Sequence, residues 1–115
     1  MTDNRAAYDS FKATTLEEAA SGMWLREVFL DSANWLPTLS EAERLTQSEE
    51  VLRDLFGDGL IELRHAKTGA VLSPQDLDSV FGSEAWRAGT QTDDYWDVEY
   101  RQTERGRQVV EHLGA

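Results

Sequence analysis

Histidine is the side chain whose unperturbed pKa lies closest to neutral pH, so His65 and His112 are the first candidates for acid–base work or metal binding. They stand far apart in a chain that has no cysteine. Neither belongs to a ligand-spaced cluster or to a nucleophile–base pair, and each reads as a half-exposed residue of a strand or helix. Asp93, Asp94, Asp97 and Glu99 crowd four carboxylates into a short stretch. Carboxylates at strand spacing can hold a hard cation or imitate a row of phosphates. The plainer reading is a solvated edge that discourages pairing with foreign strands. Gly57-Asp58-Gly59 lacks the further glycine and the lysine of a phosphate loop, and reads as a helix end. No pair of groups has a spacing that catalysis demands, so the expectation is no enzyme, no metal and no cofactor.

Binding chemistry has better candidates. Arg101, Arg105 and Arg107 form the only basic cluster, and they can grip phosphates near a helix start. Pairing with Glu99 and Glu104 is their plainer fate. The chain carries 22 acidic and 11 basic residues, a net charge of -11. Phosphate neutralisation by lysine and arginine supplies much of the affinity for duplex DNA, and this balance opposes it. Four tryptophans remain. Trp24 and Trp96 fall in periodic apolar patterns and read as core. Trp35, beside Leu36 and Pro37, and Trp86, in a polar loop-like stretch, are the candidates for contact with a partner, with packing as the alternative for both.

The elements that must position these residues can be read from caps and periodicity. A chain of 115 residues, 40% hydrophobic, suits one domain with one core. Residues 1–14 show no apolar run fit for a signal peptide or membrane span and read as a flexible start, with at most a weak helix through Ala6, Ala7, Tyr8 and Phe11. The lack of cysteine fits a reducing cytoplasm. Thr15 with Glu18 makes a capping box for a first helix carrying Leu16, Ala20, Trp24 and Val28 at helical spacing. Asn34 to Pro37 breaks it. Ser40 with Glu43 opens a second helix that ends at Gly57 and Gly59. Thr46 with Glu49 would divide this segment in two, whereas the spacing of Leu45, Ser48, Leu52 and Leu55 favours one rod; both readings stay open.

Residues 60–65 alternate as a half-buried strand, with Ile61 and Leu63 on one face and Glu62 and Arg64 on the other. Residues 66–69 make a hairpin turn with Gly69 at its left-handed position, and 70–72 return briefly. Ser73-Pro74 starts a short helix through Leu77, Val80 and Phe81, stopping at Gly82. Residues 84–94 read as a flexible loop. Residues 95–102 alternate cleanly, Trp96, Val98 and Tyr100 against Asp97, Glu99 and Arg101. Thr103 caps a last helix whose apolar side is Val109, Val110 and Leu113.

Two runs carry a family likeness. Val51-Leu52-Arg53-Asp54-Leu55-Phe56-Gly57-Asp58-Gly59-Leu60-Ile61-Glu62-Leu63 resembles the end of a winged-helix recognition helix passing through glycine into a wing strand. Val98-Glu99-Tyr100-Arg101-Gln102-Thr103-Glu104-Arg105-Gly106-Arg107 is similar to the second wing strand and the threonine–glycine helix start of such regulators. The pattern also resembles small actinobacterial proteins of this type, from which no function carries over. The likeness implies an α+β winged-helix-like domain over 1–115: three or more helices packed on a small antiparallel wing, with a long insertion between the wing strands. The implied recognition helix, however, presents Glu49, Glu50 and Asp54 with only Arg53, which is unfavourable beside phosphates. The expected function is therefore a protein-interaction or regulatory module that binds another protein or itself as a homodimer, not a membrane. The alternatives are a dimeric DNA-binding transcriptional regulator using Arg101, Arg105 and Arg107, and an acidic inhibitor that mimics nucleic acid.

Overall fold

Helix α1 (Arg5–Glu18) begins well before the capping box that seemed to open the first helix. In this computed structural model, which describes residues 5–89, 91 and 94–113 (the last without its side chain), most of the stretch expected to be a flexible start is helical. Thr15 lies in the last turn of α1, where its hydroxyl donates to the Phe11 carbonyl at 2.8 Å instead of capping. A 3-10 turn, Ala19–Ser21, leads to Gly22, whose φ of 74° suits a residue without a β-carbon. Met23–Trp24 then run extended as strand β1, and Leu25–Trp35 form helix α2. The long helix expected from Thr15 to Phe29 is thus two helices joined by a strand. Its broad apolar surface is the sum of two faces on separate elements.

Helix α3 (Glu41–Gly57) is a single rod. The Ser40 hydroxyl accepts from the Glu43 amide at 3.2 Å and the Glu43 carboxylate accepts from the Ser40 amide at 3.1 Å, the reciprocal cap expected. Thr46 starts no second helix; its hydroxyl donates to the Ala42 carbonyl. Strand β2 (Ile61–His65) follows the glycine turn and lies antiparallel to β3 (Val98–Gln102), Leu63 facing Tyr100. Strand β1 lies on the other side of β3, Met23 facing Tyr100, so the sheet order is β1-β3-β2. Phe11 of α1, Val28 of α2, Val51 and Leu52 of α3, and Leu63 and Tyr100 of the sheet share one buried core. Each such side chain contributes roughly 1.5–3 kcal/mol by leaving water.

The excursion between β2 and β3 turns at Gly69 (φ 73°) and returns only as far as one bridge, Arg64 to Val71. Ser73 and Asp76 cap each other before a short helix α4 (Leu77–Phe81), and Ser83 caps helix α5 (Glu84–Arg87) by accepting from the Trp86 amide at 3.2 Å. The stretch expected to be a loop therefore contains a helical turn. The excursion does not project as a wing. It folds back onto α2 and α3: Arg26 donates to the Trp86 carbonyl, the Trp86 indole donates to Glu49 at 2.9 Å, and Arg53 pairs with Asp78 at 2.8 Å.

Helix α6 (Glu104–Leu113) closes the domain through a backbone seam. The Thr103 amide donates to the Leu60 carbonyl at 3.0 Å, its hydroxyl donates to the Gly59 carbonyl at 2.6 Å, and that hydroxyl accepts from the Gly106 amide at 3.0 Å. A β-carbon at Gly106 would overlap the Leu60 carbonyl oxygen, so only glycine lets α6 come this close. Among the described residues the fold is α+β, six helices against a three-stranded antiparallel sheet, in a winged-helix-like arrangement.

Candidate binding surface

The four tryptophans differ in exposure: Trp86 is buried, Trp35 and Trp96 are half-buried, and Trp24 is exposed. Trp86, a candidate for partner contact with packing as the alternative, takes the packed alternative and is 2% exposed. The Ser83 cap turns it inward, its ring meets Phe81 edge-on at 5.2 Å and its N–H is taken by Glu49. Trp24, expected in the core, is 46% exposed. It belongs to a strand, not a helix, and the pleat that half-buries Met23 turns its neighbour outward. Its ring stacks on half-buried Trp96 at 6.2 Å with the planes 17° apart, and the Lys67 ammonium sits 4.8 Å from the Trp96 ring. Beside this pair Leu30 is 54% exposed. Trp24, Leu30, Tyr95, Trp96 and Val98 line a cleft of about 430 Å³ between α2 and the insertion. Such a surface offers rigid, apolar area for a partner.

The face of α3 that would enter a DNA groove is engaged within the molecule. Glu49 holds the Trp86 indole, while Arg53 pairs with Asp78 and lies 4.9 Å from the Phe81 ring. Asp54 accepts from the Tyr8 hydroxyl at 2.7 Å and stands 3.8 Å from the Lys12 ammonium. Burial and then Asp54 push the Tyr8 phenol above its ordinary pKa, so it stays a donor. The three arginines do not form one patch. Arg101 pairs with Glu99 at 2.9 Å and lies against Gly22, while Arg107 is held between Glu104 and Glu111. Arg105 is exposed and forms no ion pair among the described residues.

The acidic stretch is not a uniform solvated edge. Asp97 is 4% exposed and breaks the expected alternation, so β3 starts only at Val98. Its Oδ1 lies 2.8 Å from His65 Nδ1 and its Oδ2 accepts from the Lys67 amide at 3.2 Å. Burial opposes ionisation of Asp97, but the bonds from His65 and the Lys67 amide outweigh it and hold the carboxyl below the usual carboxylate range. The pair ties the hairpin turn to the start of β3, and Tyr95 stacks on the imidazole at 6.0 Å. Asp94 is exposed, and Asp93 lies outside the described residues. His112 is exposed in the last turn of α6.

Trp35, the other candidate for partner contact, is half-buried at the end of α2. With Thr14, Glu18, Asp31 and Asn34 it lines a recess of about 290 Å³ between α1 and α2. Burial first, then the neighbouring Asp31, raises the pKa of Glu18. Tyr100 is fully buried, and its hydroxyl has no hydrogen-bond partner among the described residues. Sequence reasoning missed Glu18 and Asp31, because two separate helices bring them together. The one signal available was the helical spacing of Glu27 and Asp31, which puts two acids on one face of α2. Compared with protein-family models, curated proteins and solved structures, the chain matches none.

Proposed function

We propose that this chain is a protein-binding regulatory module that uses a winged-helix-like body without reading DNA. The observation that carries the reading is the stacked Trp24–Trp96 pair, open to solvent beside exposed Leu30. A domain that buries Trp86 to 2% exposure leaves a larger aromatic surface uncovered on its α2 side, where a partner can desolvate it. The pairing of Glu49, Arg53 and Asp54 of α3 with other parts of the chain, together with a net charge of -11, supports the same reading against duplex DNA. A row of nucleic-acid-mimicking carboxylates is likewise unsupported where Asp97 is buried against His65 and Glu99 pairs with Arg101.

The test compares the folded full chain with Trp24→Ser and Leu30→Glu variants, using affinity capture from native lysate and gel shifts with genomic fragments. The expected result is a protein partner retained in 0.5 M salt by the parent chain, lost by both variants, and no DNA shift at low salt. Recovery of nucleic acid without protein, with a steep salt dependence, would establish the DNA-binding alternative instead.

A further inference from the structure

We infer that the cleft beside Trp24 receives a segment of the protein partner in which a carboxylate stands next to an apolar side chain, the carboxylate seated on Arg26. This inference rests on the interaction reading above and names the chemistry of the partner. Trp24, Leu30, Trp96 and Val98 give the cleft apolar walls, and Arg26 is the one charged residue among the described residues that line it. An apolar cleft with a single fixed charge holds its occupant by the hydrophobic part and orients it by the charge.

The guanidinium is fixed before any partner arrives. It donates to the Trp86 carbonyl and lies 4.9 Å from the Phe29 ring. Gly89 (φ 72°) covers it, and a β-carbon there would come within 3.0 Å of its Nε. A guanidinium carries five N–H donors, so the bond to Trp86 leaves others for a ligand. Lys12, Arg53, Arg64, Arg87, Arg101 and Arg107 are each matched to a carboxylate. Arg26 forms no ion pair among the described residues, in a chain with 22 acidic and 11 basic groups. Burial pushes its pKa down, and Glu41, which bears on it without pairing, restores this only in part. The cleft thus holds a half-buried cation that lacks its counter-charge.

Two further features select the occupant. Exposed Trp24 and Leu30 carry the apolar surface beyond the cleft, so a small acid would leave them in water while a peptide segment covers both. The Lys67 ammonium stands against the Trp96 ring and also forms no ion pair among the described residues, so two cations flank the aromatic pair and repel a basic segment. A second copy would bring a net charge of -11 against the same charge. A segment brings only its own few carboxylates, and charges further than about 8 Å away are screened at physiological salt.

The test is a display selection of random peptides on the folded full chain, followed by titration of the tightest selected peptide. The selected pool should carry Asp or Glu beside Leu, Phe or Trp. Replacing that acid by its amide should weaken binding to the parent chain about tenfold. Trp24→Ser should weaken the acidic peptide by at least as much. Arg26→Gln should do the same and erase the difference between acid and amide, whereas Arg26→Lys, which keeps the charge, should retain part of it. If Arg26→Gln unfolds the domain, the comparison of acid with amide on the parent chain decides alone. A pool without acids, or one rich in Lys and Arg, overturns the inference, as does equal binding of the acid and amide peptides. So does phenylacetate binding as tightly as the peptide, which would mark a small-molecule site, or self-association of the chain that Arg26→Gln abolishes. If the selected peptides depend on Trp24 but not on an acid, the interaction reading survives and the acidic partner alone falls; if they do not depend on Trp24 either, both fall.

Discussion

The two long faces of the helical layer differ in where their side chains find partners. On α3, Glu49, Arg53 and Asp54 are each taken by another part of the chain: the indole of Trp86, the carboxylate of Asp78 and the phenol of Tyr8. On α2 and the adjoining β1, Trp24 and Leu30 remain open, and Asp31 lies beside another acid, Glu18. The lesson is that the element which looks like a recognition helix has these charged side chains engaged within the chain. The surface with unsatisfied chemistry lies on the helix before it.

The contrast between the two tryptophans gives the largest expected effect. Trp86→Ala should destabilise the domain by about 3–5 kcal/mol, the range for emptying a packed aromatic site. Trp24→Ala should cost about 1 kcal/mol, the stacking with Trp96 being the main loss. Urea unfolding of both variants checks this, and equal costs would erase the distinction between the two faces. Glu49→Ala should cost about 1–3 kcal/mol, because it strands a buried indole N–H. A neutral result would mean that the insertion is held to α3 by apolar contact alone.

Tyr100→Phe sharpens the comparison from the other side. Removing a buried hydroxyl that has no partner among the described residues should stabilise by about 1 kcal/mol and raise the melting temperature by roughly 4 °C. The smallest effect concerns Asp97. Its folded-state pKa is depressed, so its contribution is complete above the unfolded value, about 3.9, and is lost as pH falls through the lower folded value. The stability gap between the parent and Asp97→Asn should therefore be constant above about pH 5 and close below pH 4. A gap unchanged down to pH 2 would contradict the His65–Asp97 geometry.

Elements marked by local chemistry were legible in advance. The Ser40–Glu43 box, the Ser73-Pro74 start and Thr103 ahead of Gly106 each satisfy backbone groups within a few residues, so their effect survives in the linear pattern. Strand β1 was not legible, because two extended residues have no periodicity, and Leu16, Ala20, Trp24 and Val28 happen to keep helical spacing across the break at Gly22. Pairing with β3, distant in sequence, is what decides it. The same distance explains the tryptophans. Polar neighbours hid the helical turn that buries Trp86, and the pleat that exposes Trp24 exists only once β3 is in place. Of the recess, Trp35 was visible as an aromatic beside a proline, while Glu18 and Asp31 meet only through the packing of α1 and α2.

The sheet ends on its shortest strand, with just Met23 and Trp24 at the outer margin. A border of two residues, followed at once by a helix, presents too few amide and carbonyl groups to template an added chain. Growth into ribbons of stacked copies is thereby discouraged, even though a large indole stands on that border. Whatever docks here must recognise rings and charges, and selectivity then resides in individual side chains that point mutations can redraw without disturbing the ladder.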